Sequence, residues 1–476
     1  MSCDPQSLAN QSSCFSCVTG SAVDQVKLYL LQQIAGLANM TPQDLVTAAS
    51  CYSCVPGGMM KAVETYLLCQ IAQGGGPCPP CPQDMEIAWT STTTKLGEIY
   101  MFMYLGDAPG IDTITFSAPT SIGGVTILYS TAVGPTDMEF PNMVTIDPTN
   151  SVGGGFYFEG SGLAPLETVN FPVLTATGGP VFVDHCPSLT VFNCPMLATV
   201  GQYLNVTSTA VSSLDLSLLA SVGNNVEVNL NPNLTYIDLS SLATVGGQLA
   251  LDDNNLASFS APLLTYTGSD LSLQNNPNIG AISLPVLTSI GGSLDLSGNI
   301  NATSVSAPLL NYVWGNIKFA DSGGPAVGYA SMDFTSLNNI SGSLYLHETP
   351  NLLAVSFPAL YTISGGDGIQ ADLAGATAVS FPVLYSVPQI LWEHGNATTF
   401  DVTALQSAPG NGLAIVSVYG CHLDQASVDG LLLACVTGGQ PGGTFDSTSG
   451  TNSAPSALGA TYVTALQGNG WTVTTN

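Results

Sequence analysis

One phrase recurs along most of this chain, at a fixed interval. "PVLTSIGGSLDLSGN" at 285–299 echoes "SLATVGGQLALDDNN" at 241–255 and "APLLTYTGSDLSLQNN" at 261–276. The shared unit is roughly P-x-L-x-x-I-G-G-x-L-x-L-x-x-N-x-x-L-x-x-F. The second apolar residue of its L-x-L falls at Val183, Val206, Val228, Leu251, Leu273, Leu296 and Phe319. Each lies about 23 residues after the one before, a period in the range of repeat architectures. Looser copies reach Phe158, Ile127 and about Leu105 on one side, and Leu346, Ala371, Trp392 and about Val416 on the other. A fixed period of this size is the mark of a solenoid, because one such unit is too small to bury its own apolar face.

The chemistry of one unit predicts how it coils. In L-x-L the two apolar side chains point inward and the middle one points out, as in a strand. The Asn that follows (Asn254, Asn276, Asn299) turns the chain and can bond backbone inside the coil. The next apolar pair fills the core from a second side, and P-x-L closes the third. Gly-Gly, as at Gly246–Gly247 and Gly291–Gly292, allows the corner before the next strand. The expected fold is therefore mainly β: a parallel β-solenoid of about fourteen coils, roughly 65 Å long at about 4.8 Å per coil.

Both ends depart from the repeat. The segment 1–81 holds a duplication at an offset of 37, in which "DPQSLANQSSCFSCVTG" answers to "TPQDLVTAASCYSCVPG". Asp4-Pro5 and Thr41-Pro42 read as helix starts, and Val26, Leu30, Ile34 and Leu37 share a helical face. The expectation is a small Cys-rich helical domain over 1–81, a linker and solenoid entry over 82–104, the solenoid over 105–420 and an α/β cap over 421–476. In the cap, a helix should begin near Asp424, a second should cover "PSALGATYVTALQGNG", and "WTVTTN" should be a last strand. Such a cap would cover the open end of the sheet. Trp314 and Trp392 are expected to be partly in the core.

Of the 476 residues 45% are hydrophobic and only 8% charged, and the formal charge is −28. The basic residues are Lys27, Lys61, Lys95 and Lys318, with no arginine. Nucleic acid and anionic membranes are therefore poor partners. The acidity suits solubility; calcium binding would need a D-x-D-x-D-G loop, and none is present. No apolar run approaches the length of about 18 residues that a membrane helix needs. The start, "MSCDPQSLANQSS", lacks the basic and apolar regions of a secretory leader.

Eight of the 12 cysteines fall within 1–81. Cys14, Cys17, Cys51 and Cys54 could form a tetrahedral zinc site if the duplicated halves converge. Disulfides or buried thiols stapling a thin core are the other reading, with Cys78–Cys81, Cys186–Cys194 and Cys421–Cys435 as candidate pairs. No cofactor is expected apart from zinc at that N-terminal site, should the first reading hold. His185, His347 and His394 fall just after strands and too far apart in coils to cluster. Carboxylate pairs such as Asp252 and Asp253 sit at turns and read as solvated corners, and no catalytic constellation stands out. Among the outward strand positions, Tyr157, Phe182 and Tyr345 are aromatic and form the candidate contact surface.

"LPVLTSIGGSLDLSGN", "SLATVGGQLALDDNN" and "FPALYTISGG" resemble the leucine-rich repeats of receptor L domains and of the fungal cell-wall proteins related to them, over about 110–400. The resemblance implies the fold; such solenoids serve recognition and wall architecture alike. The duplicated "CFSCVTG" and "CYSCVPGGMMKAVETYLLCQIA" and the tail "GTNSAPSALGATYVTALQGNGWTVTTN" resemble modules of phage structural proteins. Together they imply a non-enzymatic structural and adhesive protein, a virion fibre or decoration. The N-terminal domain would self-associate or meet virion neighbours, and the solenoid would meet a host surface glycan. A cell-surface recognition protein is the alternative, for which the sequons at Asn205, Asn233, Asn301 and Asn396 would be glycosylation sites. A polysaccharide-active enzyme is the third reading.

Overall fold

The computed structural model describes residues 165–320, 326–372 and 375–476, with shorter stretches between 84 and 160. The expected Cys-rich domain over 1–81, with its zinc candidates Cys14, Cys17, Cys51 and Cys54 and the pair Cys78–Cys81, lies outside the described residues.

The chain winds as a parallel β-solenoid. Sixteen strands form one long sheet and eleven form a second, here called the corner sheet; the third side is broken into four shorter sheets. Eleven successive turns carry a strand on each of the three sides. The expected apolar ladder stacks rung on rung. Val183 pairs with Phe158 and with Val206, and Leu249, Leu271, Leu294 and Ile317 follow one another in register. The second apolar residues continue the ladder: Leu251 N–H donates to Ser272 O at 2.9 Å and Leu296 N–H to Lys318 O at 2.8 Å. At the C-terminal side the register departs from the sequence reading. Val416 pairs with Ile390, and Trp392 therefore aligns with Val418, which is fully buried.

Inward side chains form one continuous core. Phe116, Phe140 and Phe171 stack at one end of it, with centroids 4.5 and 4.2 Å apart. Phe334, Phe357 and Phe381 stack at the other, at 5.9 and 5.6 Å. Smaller aliphatic residues fill the middle, so the cross-section is held while its contents change. Each fully buried Leu or Phe stabilises by about 1.5–3 kcal/mol, and only stacking supplies that burial.

Two polar devices make the corners. After the long sheet the chain turns through a left-handed residue: His185, Ser208, Leu230, Asp253, Asn275, Gly298, Glu348, His394 and Gly420 all have φ between 49° and 74°. This turn frees backbone groups inside the coil, and a buried Asn column binds them. Asn231 Oδ1 accepts from Thr209 N–H at 2.9 Å, and Asn231 Nδ2 donates to Val206 O at 2.9 Å, one rung back. Asn254 and Asn276 repeat the second bond to Val228 O and Leu251 O, at 2.6 and 2.8 Å. At the corner sheet, Gly201, Gly223, Gly246, Gly268 and Gly291 each stand against the carbonyl of the glycine one rung before. A Cβ at any of them would overlap that oxygen, so the requirement there is space and not a left-handed φ.

The C-terminal tail continues the rod. Helix α1, Gln425–Gly438, is capped by Asp424, whose carboxylate accepts from Ser427 N–H. Helix α2, Ala457–Gly468, is capped by Ser456, whose N–H and hydroxyl both donate to the Asp429 carboxylate of α1. Strands Thr444–Ser447 and Thr472–Thr475 extend the long sheet in parallel. The tail is thus two more rungs, in which a helix replaces the other strands.

Asn231→Leu should lower the urea midpoint and cost about 3 kcal/mol, because Thr209 N–H and Val206 O are left buried and unpaired. Asn233→Ala, at an exposed position of the same turn, should change stability by under about 0.5 kcal/mol.

Candidate functional site

In-register pairing turns each outward strand position into a row running along the rod. On the long sheet one row reads Tyr157, Phe182, Asn205 and Glu227. Tyr203, one residue before strand Leu204–Thr207, lays its ring over this row. The centroids of Tyr157 and Phe182 are 5.6 Å apart, and those of Phe182 and Tyr203 are 6.3 Å apart, edge to face. The Tyr157 and Tyr203 hydroxyls meet at 3.2 Å. All three rings are half-buried.

The polar end of this platform is equally local. Asn205 Nδ2 donates to Glu227 Oε2 at 3.3 Å, and Asn225 Nδ2 donates to Glu227 Oε1 at 2.9 Å. Asn205 Oδ1 and Thr207 Oγ1 are buried without a hydrogen-bond partner. Burial pushes the Tyr157 phenol well above its usual range, and the Tyr203 hydroxyl adds to the shift. Tyr157 therefore stays neutral and able to donate. Aromatic faces beside an amide and a carboxylate suit the mixed apolar and hydroxyl surface of a sugar, or the flank of another chain.

Of the expected contact residues, Tyr157 and Phe182 come together and Tyr345 does not. Tyr345 lies on the same row but beyond Lys318, far down the sheet. Its hydroxyl donates to Asp367 at 2.6 Å, and its ring lies 6.0 Å from that of the buried His347. Tyr203 escapes the sequence reading because it sits outside the L-x-L phrase; a bulky aromatic just before a strand is the available signal. The two tryptophans part company: Trp392 is fully buried, whereas Trp314 is 62% exposed.

The structure does not join the expected cysteine pairs: Cys186, Cys194, Cys421 and Cys435 are buried free thiols. Position in the coil explains this. Cys186 and Cys421 follow the left-handed residues His185 and Gly420, where other rungs carry the column Asn. Cys421 S–H donates to Trp392 O at 3.0 Å, one rung back, as an Asn amide does elsewhere, and Cys186 S–H donates to Asp184 O at 3.4 Å. Cys194 occupies the core slot that Phe171 fills one rung earlier, and Cys435 lies on the buried face of α1. Burial pushes the Cys186 and Cys194 thiols up to about 12 and Cys421 to about 11.

Asp252 also departs from the sequence reading. Its carboxylate accepts from Ser272 Oγ at 2.6 Å and Gln274 N–H at 2.8 Å, and burial raises its pKa. It ties two rungs together and is not simply a solvated corner. His185 and His394 each contact a carboxylate, Asp184 at 2.7 Å and Asp372 at 3.2 Å, on separate rungs. Among the described residues no group of three or more His, Cys, Asp or Glu is placed to hold a metal, and no helix is long and apolar enough to cross a membrane. Comparison with family models and with curated proteins finds no match.

Two outcomes check this description. The unfolded chain loses tyrosine protons near pH 10 (about the free value) while folded Tyr157 keeps its own. Folding stability should thus be unaffected by Tyr157 below that pH and fall above it, and Tyr157→Phe should remove one of the two latest phenols, the other being the buried Tyr329, from a tyrosinate absorbance titration. In peptide maps, Cys186, Cys194, Cys421 and Cys435 should resist alkylation at neutral pH until the chain is unfolded, since the thiolate is the reactive form. A recovered Cys186–Cys194 or Cys421–Cys435 linkage would contradict the assignment of free thiols.

Proposed function

We propose that this chain is a non-enzymatic structural and adhesive rod that presents the Tyr157–Phe182–Tyr203 platform to a surface glycan. The platform carries the reading. Three half-buried rings lie beside the Asn205–Glu227 amide–carboxylate pair on the flank of a stack whose in-register rungs fix their spacing. The ligand it fits is a single sugar ring at the end of a glycan, with apolar C–H groups on the rings and hydroxyls toward Asn205 and Glu227.

The repeat itself we read as L-domain-like, of the leucine-rich kind. The Asn column, with Cys in the Asn slot at Cys186 and Cys421, supports this. The setting we propose is a phage particle, with the chain as a fibre or decoration whose N-terminal Cys-rich segment associates with itself or with virion neighbours. The resemblance of that duplicated segment and of the tail to phage modules supports it. One observation favours a cell-surface recognition protein instead: the sequon residues Asn233, Asn301 and Asn396 are all exposed.

The full chain should bind a subset of spots on a glycan array. Phe182→Ala and Tyr203→Ala should each weaken that binding about tenfold or more, the scale of a lost stacking contact plus its buried area. Proteomics of purified particles from the source should recover the chain. An array with no bound glycan removes the adhesive role, and particles without the chain remove the virion setting. Attached N-glycans in the intact mass would move the reading to the cell surface.

A further inference from the structure

The corner sheet bears a second feature, on a different side of the rod from the platform. An open groove of about 750 Å³ runs along the axis from Thr145 and Ile146 to Tyr266. Its walls are small: Ala176, Thr199, Ser221 and Thr244 occupy the outward row. Its depth is fixed by the glycine column, where no side chain can be accommodated. Beyond Tyr266 the same face turns aromatic. Tyr312 lies on the Tyr266 row two rungs on, roughly 10 Å away at the rung spacing. Trp314 takes the place that Gly291 holds one rung before, and its N–H donates to Ile290 O at 3.1 Å, as Gly291 N–H does to Thr267 O at 2.8 Å. Its ring is 62% exposed and leans on Tyr312 with centroids 4.8 Å apart.

We infer that this groove, continued by Tyr312 and Trp314, binds an extended chain of neutral sugars lying parallel to the rod axis. Charge selects the ligand first. The lining has no ionisable group other than the Tyr266 phenol, in a chain with a formal charge of −28. An anionic polymer meets repulsion at long range, and a cationic one finds no carboxylate in the groove. Geometry selects next. A peptide that adds as a strand needs an open sheet edge, but the groove crosses strands already paired on both sides. A polysaccharide needs no edge. It offers hydroxyls to Thr199, Ser221 and Thr244, and C–H faces to rings set at whole-rung intervals. The Tyr266-to-Tyr312 spacing is about that of one disaccharide unit in an extended chain. An exposed tryptophan in a glycine position is the stacking surface such a chain would use.

This inference does not rest on the platform, and separate variants test the two. The full chain is titrated with cellohexaose, laminarihexaose, maltohexaose and chitohexaose, by calorimetry and by tryptophan fluorescence. At least one hexamer should bind, at least about tenfold more tightly than its own dimer, because several rungs engage it at once. Trp314→Gly restores the residue that the preceding rungs carry, so it should fold, and it should weaken binding about tenfold. Thr199→Glu and Thr244→Glu, both on exposed positions, should do the same. Tyr203→Ala should leave hexamer binding within about twofold. The inference is overturned if none of the four hexamers binds. It is also overturned if binding ignores Trp314→Gly and both Glu variants, or if it is lost in Tyr203→Ala, which would assign it to the platform.

Discussion

Each rung gives its backbone hydrogen bonds to its neighbours, and everything else in this structure follows from that. A single coil closes around too little apolar surface to stand alone, so it is stable only as a layer. Layers stack without slipping because the register is set twice. The apolar ladder sets it in the core, where a shift by one residue would turn buried side chains outward. The Asn column sets it at the corner, where Asn231, Asn254 and Asn276 each reach back one rung to a carbonyl that would otherwise be buried and unpaired. The left-handed residue before the column explains why Asn is needed at all. Turning the chain there points backbone N–H and C=O groups into the core, and a short amide is the side chain that can answer both.

Fixed register converts sequence into surface geometry. A residue in the middle of an L-x-L lies directly beside its counterpart in the next coil, so neighbours on the rod surface are one full repeat apart in the chain. Tyr157 and Phe182 are adjacent for this reason, and Tyr312 stands two rungs from Tyr266 on one row of the corner sheet. The acidic residues obey the same logic. Asp215, Asp238 and Asp401 each accept the N–H two residues on, at 3.0, 2.9 and 3.1 Å, and so build the turns of the third side. At these positions the negative charge is turn chemistry, spread along the rod instead of gathered at one place.

The phase of the repeat is legible in the sequence because it is enforced at every rung. The pairings from Val183 to Phe319, the Asn corners, the helix that starts after Asp424 and the second helix near the end all carry local signals strong enough to read. What is not legible depends on alignment between coils that differ in length. Val416 takes the place of Val418 in the sequence reading because the preceding coil is shorter and the L-x-L phrase is blurred there. The cysteines mislead for a related reason. Cys186 and Cys194 are close in sequence, which suggests a bridge, yet one occupies the Asn slot and the other a core slot. Only their alignment on the repeat, and not on each other, distinguishes the two slots. Trp314 is the same lesson at the surface: in composition it looks like core, but in the repeat it stands where glycine stands.

That substitution also shows what the glycine column is for. If glycine were needed only to let the chain turn, Trp314 could not occupy the slot with ordinary backbone, and φ at these glycines would be positive. Neither holds: the glycines at this corner are absent from the left-handed set, and Trp314 makes the same hydrogen bond to the rung before it as they do. The constraint is mutual. A glycine with another glycine's carbonyl against it cannot gain a side chain. A second column runs beside the first: Gly247, Gly292, Gly315 and Gly342 are crowded by the side chains of Asn225, Asp270, Ser293 and Asn316 one rung before, and it passes Trp314 unbroken. The glycine-on-glycine contacts run on to Gly291, and Trp314 follows in the next rung as the exposed indole.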